Sequence, residues 1–317
     1  MSFKKPALLT ALLISLMPSI VEAQYFKNSS YWKSHRRELT VGLGIANFLG
    51  ELGGRNQIGS PFVWDLEVSQ TKPALSVGYR YYTFERQSIR LNLTYGVLAG
   101  NDNLTQEMFR HNRNLSFRSD IFELSLVYEL HLFKEMLGHL YDLRGVQGQG
   151  NTRVGFYFFA GIGGFWFDPK AKYNGNWVQL KPLGTEGQGL PDGPEEYRNY
   201  EICIPMGVGI RKAFSKVWSG GIELQYTKTF TDYIDDVSGV YYDNDVLASV
   251  RGPVAAFLAD PSLGKVPGQT AAGQQRGDSN DLDAYIFLKW HMHYKIFKYR
   301  TSGKKYRTRI RRQKIVF

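Results

Sequence analysis

The segment Glu38–Ala46, which reads ELTVGLGIA, alternates between two kinds of residue at every position. Its even positions carry mostly small or hydroxyl side chains, and its odd positions carry the branched apolar residues Leu39, Val41, Leu43 and Ile45. Successive side chains of a strand point to opposite faces of the sheet. This period of two therefore predicts a β-strand that is apolar on one face only.

The same alternation recurs seven more times along the chain. The segments are 75–82, 89–97, 122–131, 153–167, 201–212, 221–231 and 284–297. With the first segment they make eight strands, and single-chain barrels of bacterial outer membranes have an even number of strands. The pattern predicts an all-β fold, an eight-stranded antiparallel transmembrane β-barrel over residues 38–297.

Connections of different length indicate how such a barrel would be oriented. Residues 83–88 and 213–217 are short turns and 133–151 is intermediate, whereas 47–72, 99–118, 168–198 and 232–282 are long. Outer-membrane barrels place short turns in the periplasm and long loops outside the cell. Both termini are then expected in the periplasm. A soluble barrel with the apolar face turned inward is the alternative, which the loop asymmetry and the large aromatic faces disfavour.

The N-terminus predicts export. Lys4 and Lys5 precede the apolar run Ala7–Met17, and a small-residue cleavage pattern ends at Ala23. This order is typical of a secretory signal peptide, because the apolar run is too short to span a membrane. We expect residues 1–23 to be the signal peptide, Gln24 to begin the mature protein, and 24–37 to form a periplasmic N-terminal segment.

Composition agrees with an exported barrel. The chain contains 20 Tyr, 20 Phe and 33 Gly but a single cysteine, Cys203, so an internal disulfide framework is excluded. No later segment approaches the run of about 20 apolar residues that a membrane helix needs. Only a closed barrel could then place this chain in a membrane, because an open sheet edge would leave backbone groups unpaired in lipid.

The inward face of the predicted barrel carries balanced charge. Eight strands enclose room for side chains or one small ligand, which argues against a pore. Buried charges must be paired, so the predicted lumen is a plug of paired charges rather than a channel. Its members are the cations Arg80, Arg90, Arg211 and Lys289 and the carboxylates Glu123, Glu129, Glu201 and Glu223.

Two further patterns could carry chemistry. His131, His291 and His293 beside Glu129 form either a metal or acid–base cluster or part of the hydrogen-bond network of the lumen. Carboxylates in 231–245 and 278–283 provide oxygens that suit calcium, but they lack ordered spacing, which favours a solvated surface. Without a nucleophile beside a base, we expect no enzyme, no cofactor and no metal site.

Residues 133–143 (FKEMLGHLYDL) have an apolar stripe at helical spacing. This pattern predicts a short amphipathic helix in the intermediate connection. Two roles stay open for it: it lies on the membrane or on a partner, or it closes the floor of the barrel.

The C-terminal segment 298–317 explains the net charge of +10. It has nine cations and no acid, and it cannot fold alone because it is short and self-repelling. The predicted compartment excludes nucleic acid. The remaining partners are anionic lipid, peptidoglycan-linked acids or an acidic periplasmic protein, or the tail is solvated without a partner. The cations are Lys298, Arg300, Lys304, Lys305, Arg307, Arg309, Arg311, Arg312 and Lys314.

Part of the chain resembles a known family. The strand at 38–46 continues into Asn47–Gly53, which reads NFLGELG, and this stretch together with 75–81 and 118–125 resembles PorG-type outer-membrane barrels of Bacteroidota. The resemblance implies a non-catalytic role in type IX secretion and gliding. It also implies that the barrel holds a periplasmic ring of the PorK lipoprotein and PorN at the outer membrane.

Two classes of function are consistent with these features. The first is a structural docking barrel of the type IX secretion machinery, bound to PorK/PorN-like ring proteins and outer-membrane lipids. The alternative is an outer-membrane barrel enzyme or an adhesin acting through its extracellular loops. The paired lumen and the basic tail favour docking.

Overall fold

The computed structural model describes residues 31–50, 52, 68–105, 107–135, 142–143, 146–147, 154–215, 217–279 and 281–297. The predicted signal peptide and the basic tail 298–317 lie outside the described residues. Among the described helices, none is long and apolar enough to cross a membrane.

Eight antiparallel strands form a closed barrel, as predicted. The barrel strands are β1 (Arg37–Leu49), β2 (Lys72–Phe84), β3 (Gln87–Asn101), β4 (Ser116–Phe133), β7 (Gly155–Tyr173), β9 (Tyr200–Ala213), β10 (Trp218–Thr229) and β11 (Ala284–Ile296). The sheet order is β4-β3-β2-β1-β11-β10-β9-β7, and pairing of β4 with β7 closes the ring. Each of these strands corresponds to one predicted segment.

Three short strands and several short helices make up the other regular elements of the described residues. Strands β5 (Asp142–Leu143) and β6 (Val146–Gln147) pair only with each other, and β8 (Asn176–Gln179) pairs with the end of β7. The α-helices are Met108–Arg113, Asn244–Arg251 and Pro253–Ala259. The 3-10 helices are Tyr31–His35, Val68–Gln70, Asp102–Leu104 and Lys181–Leu183.

The two ends of the barrel differ. At one end, here called the turn end, β2 joins β3 and β9 joins β10 through short turns. The first and last barrel strands meet at this end, where Arg37 pairs with Ile296. The opposite end, here called the loop end, carries the long connections. Both described ends of the chain therefore lie at the turn end.

The wall of the barrel is apolar on the outside and polar on the inside. Leu91 is 49% exposed and Leu124 is 54% exposed, whereas the neighbouring Asn92 and Ser125 are buried. A soluble barrel would have the reverse arrangement, because a continuous apolar surface of this size is unfavourable in water. The exterior is therefore suited to lipid, and the soluble alternative is wrong.

The long loops fold into a compact layer over the loop end. This loop cap comprises the described residues of 101–115, 174–199 and 230–283. Leu247 and Ala255 belong to an apolar cluster of the cap itself, whereas Ile234 and Val237 pack in the cluster that continues into the barrel. The expectation of a solvated acidic surface in 231–245 is wrong in part, because Asp232, Asp235 and Asp236 are also buried. The carboxylate of Asp236 accepts hydrogen bonds from Thr185 and Tyr197 of another loop, which compensates for its burial.

The helix predicted for 133–143 does not match the described ends of that segment. Phe133 is the last residue of β4 and pairs with Phe156, while Asp142–Leu143 form β5. Residues 136–141 lie outside the described part of the chain. Ladder hydrogen bonds with β7 extend β4 through Phe133, and tertiary pairing of this kind overrides local helical spacing.

Candidate functional site

Of the eight charged residues predicted for the lumen, seven are fully buried. All eight lie on inward-facing positions of their strands. The exception is Glu201, which is half-buried near the loop end and joins no ion pair among the described residues. Its register partner Phe165 is buried in an aromatic cluster. An apolar surrounding offers no cation for Glu201, so partial exposure keeps the carboxylate hydrated.

Two arginines organise the turn-end half of the lumen. Arg80 Nη1 lies 3.0 Å from Glu38 Oε2, and Arg80 Nε lies 2.5 Å from Glu129 Oε2. Arg211 Nη1 lies 3.1 Å from the same oxygen of Glu38. Arg211 Nη2 lies 2.9 Å from Glu135 Oε1. These contacts join four strands and the residue Glu135, which follows the end of β4.

A second group fills the middle of the lumen. Arg90 Nη2 lies 2.7 Å from Glu223 Oε2, and its Nε lies 2.9 Å from Glu129 Oε1. Lys289 Nζ lies 3.3 Å from the other oxygen of Glu223. Because the carboxylates of Glu129 and Glu223 are each shared between two cations, the charges form a continuous ladder rather than isolated pairs.

Glu123 is held differently from the other lumen carboxylates. It accepts hydrogen bonds from Gln225 Nε2 at 3.0 Å and from the Tyr285 hydroxyl at 2.9 Å. Lys289 donates to Gln225 Oε1 at 2.6 Å, so the lysine reaches Glu123 through an amide. Neutral donors therefore satisfy this buried carboxylate.

The predicted lumen set lacked three members of the ladder, Glu38, Glu135 and Lys295. Glu38 lies at the inward parity of β1, so the alternation contained the signal that it faces the lumen. Glu135 follows the last residue of β4 and has no strand parity to reveal its direction. Lys295 Nζ lies 2.9 Å from Glu135 Oε1 and extends the ladder to the turn end.

The three histidines named as candidates are buried in the same network. Ser88 Oγ donates to Glu129 Oε2 at 2.6 Å and lies 2.9 Å from His131 Nε2. The rings of His291 and His293 stack with centroids 5.8 Å apart and an interplanar angle of 7°. No group of three metal-ligating side chains occurs in the described part of the chain.

The serine, imidazole and carboxylate at Ser88, His131 and Glu129 do lie within hydrogen-bond reach of one another. All three side chains are at most 1% exposed. A nucleophile must touch a substrate, and these groups are enclosed by the wall and by their neighbours. The arrangement serves to link β3 to β4 rather than to present a reactive hydroxyl.

The turn end is closed by residues that flank the strands. The His35 ring lies 5.4 Å from the ring of Phe297. Burial, reinforced by the positive charge of Lys295, lowers the pKa of His35 to about 4, so the ring is neutral at pH 7. Burial favours a raised pKa for Glu135, but Arg211 and Lys295 outweigh it and hold that pKa below the usual value.

A separate polar cluster holds the loop cap together. Arg276 Nη1 lies 2.9 Å from Glu186 Oε1 and donates to the Asp236 carbonyl oxygen at 2.6 Å. The carboxylate of Asp236 accepts hydrogen bonds of 2.6 Å from the hydroxyls of Thr185 and Tyr197. Burial raises the pKa of Asp236 to about 6, although Arg276 opposes that effect.

The long loop between β3 and β4 is tied to this cluster. Arg113 Nε and Nη2 donate to the two carboxylate oxygens of Asp102 at 2.7 and 3.1 Å. Arg113 Nη1 also donates to the Arg276 carbonyl oxygen at 2.6 Å. Bidentate pairs of this kind restrict geometry strongly. Three separate loops are thus fixed relative to one another.

A closed eight-stranded barrel with a lipid-facing apolar wall and an ion-paired lumen defines the class of protein: a small outer-membrane β-barrel. Within that class, the chain belongs to the family described as "Domain of unknown function (DUF6089)", whose profile matches residues 21–253. The comparison with curated proteins found no match.

Solved structures with the same kind of fold include three small barrels of low identity. Neisserial surface protein A is 6% identical with a TM-score of 0.37, covering 82% of this chain and 97% of that one. Ail of Yersinia pestis is 8% identical with a TM-score of 0.34, covering 82% and 98%. OprG from Pseudomonas aeruginosa is 7% identical with a TM-score of 0.35, covering 83% and 98%.

Proposed function

We propose that this protein is a non-conducting outer-membrane anchor that docks periplasmic proteins of the type IX secretion and gliding machinery at its turn end. The observation that carries the proposal is the continuous ladder of paired charges from Lys295 to Glu223. A lumen filled in this way has no room for a solute, so the surfaces available for function are the two ends.

The turn end is the proposed docking end. Short turns of outer-membrane barrels face the periplasm, which supports placing both chain termini there. Ile296 pairs with Arg37 at the turn end, and the basic tail 298–317 follows the last barrel strand in the sequence. Its nine cations and its lack of acids suit a partner with an acidic surface or an anionic lipid headgroup.

The sequence resemblance to PorG-type barrels of Bacteroidota supports the identity of the partner. PorK- and PorN-like ring proteins are proposed to receive the tail, with outer-membrane lipids around the wall. Under this proposal the rigid barrel resists displacement while the ring exerts force from the periplasm. The charge ladder contributes to that rigidity, because it crosslinks strands that are not neighbours in the sheet.

Deletion of residues 302–317 tests the proposal. The last barrel strand ends at Ile296, so the shortened barrel should insert and keep the different gel mobilities of unheated and boiled samples. Co-isolation of ring proteins and secretion of cargo should fall. Normal co-isolation and secretion by the deletion variant would refute the docking role of the tail.

Charge variants separate electrostatics from sequence. Replacing the tail arginines by lysine keeps the charge and should preserve most co-isolation, whereas replacing them by glutamine should not. Raising the salt concentration should weaken the contact, because exposed charges are screened over about 10 Å at 0.1 M. Equal effects of the lysine and glutamine sets would mean that charge does not mediate docking.

A further inference from the structure

A cavity of about 270 Å³ lies in the loop cap, away from the turn end. It is bounded by the loop between β3 and β4, the end of β7 and the helix Pro253–Ala259. Its volume is slightly below the roughly 300–1,000 Å³ of pockets for drug-sized molecules. The space therefore suits a ligand about as large as one sugar ring.

The polar lining offers both donors and acceptors. Asn101 Oδ1 accepts a hydrogen bond from the Asn103 backbone N–H, which leaves the amide group of Asn101 to donate. Asn114 Nδ2 donates to the Pro261 carbonyl oxygen, which leaves Asn114 Oδ1 to accept. Ser116 adds a hydroxyl, which can do either. A ligand with several hydroxyl groups, each donor and acceptor at once, matches this set.

One buried donor in the lining lacks a partner. Arg276 lines the cavity and is 2% exposed. Its Nε has no hydrogen-bond partner among the described residues, although its Nη1 is paired with Glu186. A buried N–H without a partner is unfavourable, so a ligand oxygen that reaches Nε would be favoured.

Part of the lining is apolar. Leu115, Leu180 and Leu258 are nearly inaccessible, and the half-exposed ring of Phe257 also lines the cavity. A sugar ring has C–H faces that pack on apolar and aromatic surfaces and hydroxyl groups at its edge. A lining that combines an apolar surface with amide and hydroxyl groups is complementary to such a ring.

Charge in the lining is nearly balanced. Lys172 and Arg276 are cations and Asp235 is an anion, and the guanidinium of Arg276 is already paired with Glu186. A strongly charged ligand would therefore gain no net attraction from the cavity. We propose that the loop-cap cavity binds a neutral saccharide, recognised through one sugar ring.

Saturation-transfer NMR on the refolded full-length barrel in detergent tests this inference, with glucose, galactose, mannose and N-acetylglucosamine as probes. At least one neutral sugar should give a saturable signal. The Asn103 side chain also belongs to the cavity lining, so Asn103→Leu should weaken that signal about two- to tenfold, the range expected for one lost hydrogen bond. Phe257→Ala, which removes the aromatic surface, should weaken it as well.

Matched variants outside the cavity provide the controls. Asn176→Leu repeats the amide change on β8, and Phe109→Ala repeats the aromatic change on a different exposed helix. Both should leave binding unchanged. Heat-dependent gel mobility of every variant confirms that the barrel is folded. Methyl glycosides of the same sugars distinguish the source of the ligand. If the site binds the terminus of a glycan, the methyl glycosides should still bind. If it binds a free sugar, methylation should abolish binding.

Three outcomes would overturn the inference. One is the absence of a signal from all four neutral sugars at millimolar concentration with folded protein. Another is equal weakening by the cavity variants and their controls. The third is binding of glucuronic acid or glucosamine without any binding of the neutral sugars, because it would show that charge rather than hydroxyl geometry governs recognition.

Discussion

Arg80 and Glu129 form a bidentate ion pair inside the barrel, with Nε to Oε2 at 2.5 Å and Nη2 to Oε1 at 3.0 Å. The two residues belong to β2 and β4, which are not adjacent in the sheet. The pair therefore crosses the lumen and fixes the distance between two parts of the wall. Both side chains are fully buried, so neither charge is solvated by bulk water.

Removing one member of this pair should destabilise the barrel more than removing both. Arg80→Met should lower the free energy of unfolding by about 3–5 kcal/mol, because it leaves a buried carboxylate with one cation fewer. Arg80→Met combined with Glu129→Leu should recover a large part of that loss. Urea unfolding of the refolded barrel in lipid vesicles measures both. A double variant no more stable than the single variant would contradict the pairing argument.

The lipid-facing wall should tolerate shape changes but not charge. Leu124→Arg should cost about 2–4 kcal/mol, as expected for a cation near the bilayer midplane. Leu124→Phe should cost little, since lipid chains adapt to either side chain. Asn92→Ser is a mild inward-facing control. The same unfolding assay compares them, and an equal cost of Arg and Phe at position 124 would mean that this face does not meet lipid.

Gly209 should resist enlargement because the ring of Tyr157 occupies the space beside it. A Cβ on Gly209 would overlap that ring, so Gly209→Ala should cost about 1–3 kcal/mol through overpacking. Gly164→Ala is the matched control, since its nearest neighbour would lie 3.7 Å away. Adding Tyr157→Leu to Gly209→Ala should relieve part of the cost. Equal effects at positions 209 and 164 would contradict the packing.

Mild acidification should stabilise the loop cap. Burial raises the pKa of Asp236 from 3.8 to about 6, so the folded cap binds the proton more tightly than the unfolded chain. The resulting stability is fully present below about pH 3.8 and is lost as the pH rises through 6. Between pH 7 and pH 5 the cap should gain about 1 kcal/mol.

Hydrogen exchange of residues 230–279, corrected for the intrinsic effect of pH, measures this gain. Asp236→Asn should abolish the pH dependence while keeping a side chain that can contact Thr185 and Tyr197. The turn end should behave oppositely, because the pKa of His35 is lowered to about 4, and stability there is lost as the pH falls from 6.5 to 4. A cap that loosens between pH 7 and pH 5 would show that Asp236 does not control it.

Much of the barrel could be predicted from the chain alone. The alternation of Leu39, Val41 and Leu43 with small residues marks a strand with two unlike faces, because strand geometry has a period of two. The same parity places Arg80 and Glu223 on the inner face. Eight such segments without a membrane helix leave closure as the way to pair every strand in lipid.

Other features depended on the tertiary structure. Alternation shows which face a residue occupies but not its height along the lumen, so it could not pair Arg211 with Glu38 and Glu135. Nor could it distinguish Glu201, which lies beside aromatic residues, from the fully paired carboxylates. These partners come from the stagger and closure of the strands, which depend on the whole sheet.

The loop cap shows most clearly the difference between what the sequence predicts and what only the tertiary structure decides. Gly, Pro, Asn and Asp in the long connections identify loops by composition, and composition alone favoured a solvated surface. The burial of Asp236 against Thr185 and Tyr197 required two loops, distant in sequence, to meet over one end of the barrel. The local sequence determined strands, faces and the lipid-facing wall, because those follow from backbone periodicity. Only the tertiary structure decided the charge partners and the folded cap, because long-range contacts between irregular segments have no periodic signal.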